Sequence, residues 1–482
     1  MHDIRSYGRT RMGDCTHPTV LPVELGFETI GNATVVVHDR EPVLATDPWV
    51  RGSAYFGSWG LSYEVPNAQD VAVRAAGTVW FSHGHPDHLN PASLPLFRDA
   101  RILLPDHVGG RIARELTRDG YRVEVLPDRT WVRISDRVRV LCIADEGQDA
   151  VLLIDVGGAL VVDLNDAQDR GWGHLVKRVI RAFPQSFLLR LSGYGDADMI
   201  NFVDEDGAPI PSLAQVRKES GFEVGADVAR MTETFGANHF VPFSSFHRYQ
   251  RDDSAWANAW TTPVAEYARG FRSDRVALLP AFVRYDCTSD SWEPIDPEPA
   301  PDVTFAPEDF GDDWSDTLDR DDRGLVTRYF GSIEPLARSL DRVTFRVGEG
   351  EHTVELGGRD TGRSITFAVP RASLRRAVEW EIFDDLLIGN FMRTTLHGSW
   401  PSSGLYPDFT PYVTKYADNG RARTDDELRA YFAEYRRRMG VVTWLRAGLE
   451  QRAKDGVRAR LAADSPAYRA AKRVYTRVKR AG

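Results

Sequence analysis

His83-Gly84-His85-Pro86-Asp87-His88 follows directly on the apolar run Thr78-Val79-Trp80-Phe81. The run reads as a short buried strand and the hexapeptide as the loop it opens into. Three of the chain's twelve histidines fall in these six positions, more than a solvated loop would gather. His83 and His85 alternate along an extended segment, so both imidazoles can turn to one ion. Asp87 and His88 lie around the turn and can grip a second. Imidazole and carboxylate donors together suit borderline metals such as zinc and iron. The stretch predicts a dinuclear metal site at a strand end.

The flanking sequence is rich in strand signals. Val23-Glu24-Leu25-Gly26-Phe27-Glu28 alternates apolar and polar residues, as a half-buried strand does. After the Gly31-Asn32 turn, Ala33-Thr34-Val35-Val36-Val37-His38 reads as a second strand. A third begins at Val43-Leu44-Ala45 and stops at Thr46-Asp47-Pro48-Trp49. Beyond the hexapeptide, Val138-Arg139-Val140-Leu141-Cys142-Ile143 runs into Ala144-Asp145-Glu146. Val151-Leu152-Leu153-Ile154-Asp155 follows, and Ala159-Leu160-Val161-Val162 ends at Asp163-Leu164-Asn165-Asp166. A later strand begins near Asn238-His239 and leaves His247 just past its end, in a polar loop with Arg248 and Arg251.

The spacing H-x-H-x-D-H resembles the metal signature of the metallo-β-lactamase fold superfamily. The resemblance implies an α/β chain built as an αββα sandwich, with a smaller C-terminal α+β domain appended here. It implies that His83, His85, Asp87 and His88 are metal ligands and that later loops supply three more. Asp47, before Pro48 at a strand end, would orient a ligand histidine, as metal sites generally require. In hydrolytic members the loop after the 138–143 strand carries a histidine. Here it carries Asp145 and Glu146, and Glu146 takes the ligand role. Asp87 and Glu146 are the carboxylates assigned to catalysis. Asp166 aligns with the bridging aspartate of the family, with Asp163 its close rival, and His247 supplies the last ligand. A site richer in oxygen donors shifts preference from zinc towards iron or manganese.

Three further stretches narrow the resemblance. They are Thr46-Asp47-Pro48-Trp49 with Ser53-Ala54-Tyr55-Phe56-Gly57-Ser58-Trp59, then Val241 to His247, then Ile382 to Phe391. Together they are similar to the catalytic region of the CMP-N-acetylneuraminate hydroxylases, over about residues 20 to 440. Those enzymes carry a Rieske cluster, which needs Cys-x-His and Cys-x-x-His pairs. Cys15-Thr16-His17 is present, but neither Cys142 nor Cys287 is followed by the second pair, so no Rieske centre is expected. The glutamate-for-histidine exchange is also similar to the di-iron β-hydroxylase of chloramphenicol biosynthesis. The implied function is a dioxygen-dependent oxygenase with two iron ions, a small polar metabolite as substrate and an external electron donor. The alternative is a hydrolase of a phosphodiester, ester or lactone with two zinc ions, in which the metals generate hydroxide. The intact hexapeptide argues against a scaffold that has lost its chemistry.

Composition fits an enzyme of this kind. The chain has 482 residues, of which 42% are apolar, enough to fill a sizeable core. No run approaches the ~20 apolar residues that cross a bilayer, so no membrane partner is expected. The net charge of -10 argues against a nucleic-acid footprint. The first residues lack an apolar signal core, and three dispersed cysteines suggest no disulfide framework, which points to the cytoplasm. The expected domains are a catalytic unit at 20–290, an acidic proline-containing linker at 291–324, an α+β unit at 325–440 and a basic tail at 441–482. From Gln451 onward ten Lys or Arg face only Asp455 and Asp464. A solvated helix is the favoured reading there, with an acidic partner the other. Phe56, Trp59, Tyr194, Arg248 and Arg251 lie beyond strand ends expected at the metal edge. They are the residues expected to wall a substrate pocket, with an arginine pairing a substrate carboxylate or phosphate.

Overall fold

A computed structural model describes residues 23–449 apart from 195–198, 245, 359, 402–403, 417–419 and 447. Cys15-Thr16-His17 and the tail from Gln451 lie outside the described residues. Two sheets face each other. The first has eight strands in the order Ser291–Pro294, Val283–Asp286, Leu25–Ile30, Thr34–Asp39, Glu41–Thr46, Thr78–Trp80, Arg101–Pro105 and Arg122–Leu126. The second has seven, in the order Ala277–Leu278, His239–Pro242, Gln185–Arg190, Ala159–Asp163, Ala150–Val156, Val138–Ala144 and Trp131–Arg133.

Strand alternation sorts side chains into three layers. Phe27, Val35, Val37, Leu44 and Trp80 from the first sheet meet Val140, Leu152, Ile154, Val161 and Phe187 from the second in the inter-sheet core. Their neighbours along the same strands point outward. Val36, Ala45 and Val79 pack under Val73, Ile112 and Leu116 of one helical layer. Leu160, Val162 and Leu188 pack under Val176, Ile180 and Val228 of the other. Strands covered on both faces read as continuous apolar runs, which is why Val35-Val36-Val37 shows no alternation. The result is an αββα sandwich, the architecture that the sequence resemblance implies. The first strand, which reads as half-buried, is buried throughout. Its polar member Glu28 is paired internally, with His38 at 3.1 Å and Arg284 Nε at 2.6 Å.

A third, five-stranded sheet belongs to the C-terminal unit: Phe202–Val203, Arg393–His397, Ser364–Ala368, Arg342–Val347 and Gly350–Glu355. A hairpin turns at Gly348-Glu349, and a helix, Arg371–Glu379, follows Pro370. Phe330, Phe345, Phe367, Phe383 and Phe409 form its fully buried centre. The short strand Phe202–Val203 reaches it from the first half of the chain.

The acidic segment between the units is fixed to both. Ala300 and Phe305 donate backbone hydrogen bonds to Ser62 O and Gln250 O. Asp312, fully buried, accepts from Arg251 Nη1 and from Ser373 N, at 2.8 Å each. The segment is a strap. Among the described residues no helix is long and apolar enough to cross a membrane.

Candidate metal centre

Parallel strands bring their carboxyl ends to one edge, where open α/β sheets present ligand-binding loops. Glu41–Thr46, Thr78–Trp80 and Arg101–Pro105 run parallel in the first sheet, and Ala159–Asp163, Gln185–Arg190 and His239–Pro242 in the second. Asp47, the hexapeptide and Asp166 leave these strand ends. His247 opens a small antiparallel pair with Trp59–Leu61.

The imidazoles converge. His83 Nε2 lies 2.9 Å from His85 Nδ1. His88 Nε2 lies 3.2 Å from Asp166 Oδ2 and 3.3 Å from Asp87 Oδ2, and the same Asp166 oxygen is 3.9 Å from His83 Nε2. Asp166 thus faces both imidazoles, as a bridging ligand would. The outward nitrogens are anchored. His88 Nδ1 meets Asp47 Oδ2 at 3.0 Å, and His83 Nδ1 meets Ser82 Oγ at 2.9 Å. Asp47 also accepts from Ser82 N at 2.7 Å, from Ser82 Oγ at 2.6 Å and from Asn165 Nδ2. Ser82 Oγ donates to Asp47, so it accepts from His83 Nδ1–H. That assigns the lone pair of His83 to Nε2, inside the cluster.

His247 is the most direct sign of a missing partner. It is buried, and neither ring nitrogen has a hydrogen bond. Its ring stacks on Trp59 at 3.4 Å between centroids and 2° between planes. Two unsatisfied nitrogens in a buried ring are costly unless something binds them. Burial pushes its pKa down to about 3, so the ring is neutral and a lone pair is available. Burial, with His88 and His85 adding, likewise holds His83 well below the ordinary histidine range. His88 differs. Burial opposes its charge, but Asp87, Asp166 and Asp47 together outweigh it and raise the pKa well above the usual value. Without metal His88 carries a proton; a cation in the cluster would replace it. Burial also opposes charge on Asp87 and Asp166, and the facing histidines still hold both carboxyls below the ordinary range.

The structure adds residues that the sequence did not single out. Tyr55 OH donates to Asp87 Oδ1 at 2.5 Å and Asn32 Nδ2 to Asp87 Oδ2 at 3.0 Å. Ser244 Oγ donates to Asp166 Oδ1 at 2.7 Å. Asp384 and Asp385, from the C-terminal unit, form with His85 a second group of donor atoms beside His83, His88 and Asp166. Asp149 is pushed up to about 7 by burial, with Asp145 and Asp166 adding and His85 opposing, so its carboxyl shares the field of the centre. These residues carry no local motif. Tyr55 was recoverable only as part of the 53–59 stretch, and Asp384 and Asp385 only as part of the 382–391 stretch.

Other expected site residues stand elsewhere. Glu146 has its carboxylate 4.0 Å from Arg170 Nη1, and its carbonyl accepts from Tyr431 OH at 2.9 Å. It joins neither donor group. Asp163 is fully buried without a partner for either oxygen, and burial, with Asp47 adding, keeps its pKa well above the carboxylate range. Arg251 corrects the pocket reading. Its side chain is 0% exposed and bonds Asp253 through Nε and Nη2, and Asp312 and Phe56 O through Nη1. Burial opposes its charge and those acids restore it, so its donors are engaged inside the protein. Arg248 donates to Val303 O of the strap at 2.9 Å. Tyr194 is buried in the outer helical layer and donates to Glu266 at 3.0 Å. Phe56 packs against the C-terminal core beside Phe391. Of the five, Trp59 alone is in contact with a candidate ligand. Arg170 is the arginine near the loop acids; burial opposes its charge, but Asp145, Tyr406, Asp149 and Glu146 raise its pKa further.

No family model matches the sequence. Curated relatives do. Cytidine monophosphate-N-acetylneuraminic acid hydroxylase of Asterias rubens is 26% identical over 167 residues, 32% of this chain and 26% of that protein. The Danio rerio enzyme of the same name is 25% identical over 161 residues, 32% of this chain and 27% of its own length. The chain resembles these hydroxylases. The matched stretch spans about a quarter of their length. Among solved structures, CmlA, a diiron beta-hydroxylase from Streptomyces venezuelae, is 14% identical with a TM-score of 0.31, covering 50% of each chain. An isothiocyanate hydrolase from Delia radicum gut bacteria is 15% identical with a TM-score of 0.34, covering 53% of this chain and 96% of that one. The converging donors form groups that could hold metal ions, and the curated relatives are named as hydroxylases.

Proposed function

We propose that the chain is a dioxygen-dependent oxygenase of the hydroxylase kind, with two iron ions and a small polar metabolite as substrate. One observation carries the choice of metal: carboxylates crowd the imidazoles. Asp87 and Asp166 lie within 3.3 Å of His88 Nε2, and Asp385 lies in the donor group of His85. Harder oxygen donors favour iron over zinc. His83, His85, Asp87, His88, Asp166 and His247 would hold the metals. On the 145–149 loop, Asp149 is the acid whose charge interacts with Asp166 and His85.

Bound iron supplies dioxygen activation, with electrons from an external donor. The chain's own residues do the rest. Asp47 and Ser82 fix the tautomers of His88 and His83, so both present lone pairs inward. Tyr55 and Asn32 hold Asp87 by its two oxygens, which limits its rotation. Trp59, flat on His247, covers one side of the centre and excludes water there. Arg170, 4.0 Å from Glu146, balances the charge of the loop acids.

The test is metal analysis of protein purified from iron-supplemented cells, with visible spectra before and after dithionite and air. Two iron per chain and a spectrum that bleaches and returns support the oxygenase. Two zinc per chain, no redox-sensitive band and turnover of a model phosphodiester or ester would establish the hydrolase instead.

A further inference from the structure

His85 is held at both ring nitrogens by different halves of the chain. Its Nδ1 faces His83 Nε2 at 2.9 Å, and its Nε2 lies 3.2 Å from Asp384 Oδ2, a residue 299 positions away. A neutral imidazole carries its proton on one nitrogen and its lone pair on the other. A carboxylate accepts, so the proton of His85 sits on Nε2 and the lone pair on Nδ1. The lone pair of His83 is likewise on Nε2, because its Nδ1 donates to Ser82 Oγ. Two lone pairs then lie 2.9 Å apart, a contact that one cation bound to both at an ordinary metal–nitrogen distance would relieve.

Asp384 is built to hold this position. It is 1% exposed, and its neighbours Phe383 and Leu386 are fully buried in the C-terminal core. Thr414 Oγ1 lies 3.2 Å from the same oxygen, Oδ2, and 2.9 Å from Thr410 O as its other acceptor, while Oδ1 has no hydrogen bond. Asp47 does the same for His88 from the first unit. We infer that Asp384 is the positioning residue of His85, so that the C-terminal unit sets the affinity of the metal position that His83 and His85 share. This rests on the reading of the site as a metal centre.

The test uses zinc, which is diamagnetic, on the full chain. Zinc affinity is measured by competition with a chromophoric chelator in the unaltered protein, Asp384→Ala and Asp384→Asn. The His85 tautomer is read from 15N-histidine correlation spectra of the zinc-loaded forms. Asp384→Ala is expected to keep two zinc per chain and bind one of them about 10- to 100-fold more weakly. The Nε2–H signal of His85 should broaden or move. Asp384→Asn, whose amide oxygen still accepts from Nε2–H, should recover most of the affinity. Unchanged affinity and an unchanged His85 signal in Asp384→Ala would overturn the inference while leaving the metal centre intact. Loss of one whole zinc equivalent in both Asp384 variants would also overturn it, by making Asp384 a ligand. A uniform fall in both affinities with an unaltered His85 tautomer would reduce Asp384 to a packing residue. If the unaltered protein binds no zinc, the metal-centre reading itself fails.

Discussion

Asp47→Ala removes the carboxylate that organises the hexapeptide. The side chain is fully buried and accepts from Ser82 N, Ser82 Oγ, Asn165 Nδ2 and His88 Nδ1. Alanine leaves these donors without their acceptor. Asn165 Nδ2 retains Ser82 Oγ at 3.3 Å, and His88 Nδ1 has the same oxygen at 3.5 Å. The backbone N–H of Ser82 has no substitute. Ser82 N is fully orphaned, Ser82 Oγ loses its acceptor and two further donors are weakened. At about 1–3 kcal/mol for each of the two Ser82 donors, the loss is about 2–6 kcal/mol of apo-protein stability. That is a large share of the about 5–15 kcal/mol that holds a domain folded. Metal affinity should fall about 10- to 100-fold, because His88 is freed to rotate. Urea denaturation of the metal-free protein reads the first number and chelator competition the second. A stability change under about 1 kcal/mol with unchanged affinity would refute the view that Asp47 holds the ligand loop.

Arg251→Ala should destabilise by about 3–5 kcal/mol, because it strands a buried ion pair. Urea denaturation measures that, and a selective rise in KM with normal stability would restore the arginine to the pocket. Asp149→Ala should weaken metal binding more than Glu146→Ala, as judged by metal content after dialysis; the opposite order would return the ligand role to Glu146. His107 is buried beside Ser82 O, and burial pushes its pKa down to about 4. The unfolded chain binds that proton near pH 6.5, so stability is full above 6.5 and is lost as pH falls from 6.5 to 4. The loss amounts to about 3 kcal/mol. His107→Gln should flatten the pH dependence of urea midpoints in that window, and an identical slope in the variant would contradict the assignment.

Local signals carried the sandwich and one side of the centre. Period-two and fully apolar runs marked the strands, and turns punctuated them. The hexapeptide, Asp47 before proline and His247 past a strand could be picked out because strand ends collect at one edge. What stayed hidden depends on distant contacts. Asp384 meets His85 across 299 positions, and nothing in Phe383-Asp384-Asp385-Leu386 distinguishes a buried acid from a helix-start acid. Arg251-Asp252-Asp253 looks like a solvated turn, yet Arg251 is buried because Asp253 and the distant Asp312 neutralise it. The same Asp312 turned an acidic, proline-bearing stretch into a fixed strap. Glu146 drew attention by its place in the order of strands, but its side chain turned to Arg170, a residue outside the pattern.

The most direct measurement is a crystal structure of iron-loaded protein with anomalous differences collected across the iron edge. The account predicts two peaks separated by about 3.5–4 Å. One should touch His83 and His85, the other His88 and His247, with Asp166 between them. A single peak, or iron bound away from these side chains with His247 still unliganded, would contradict it.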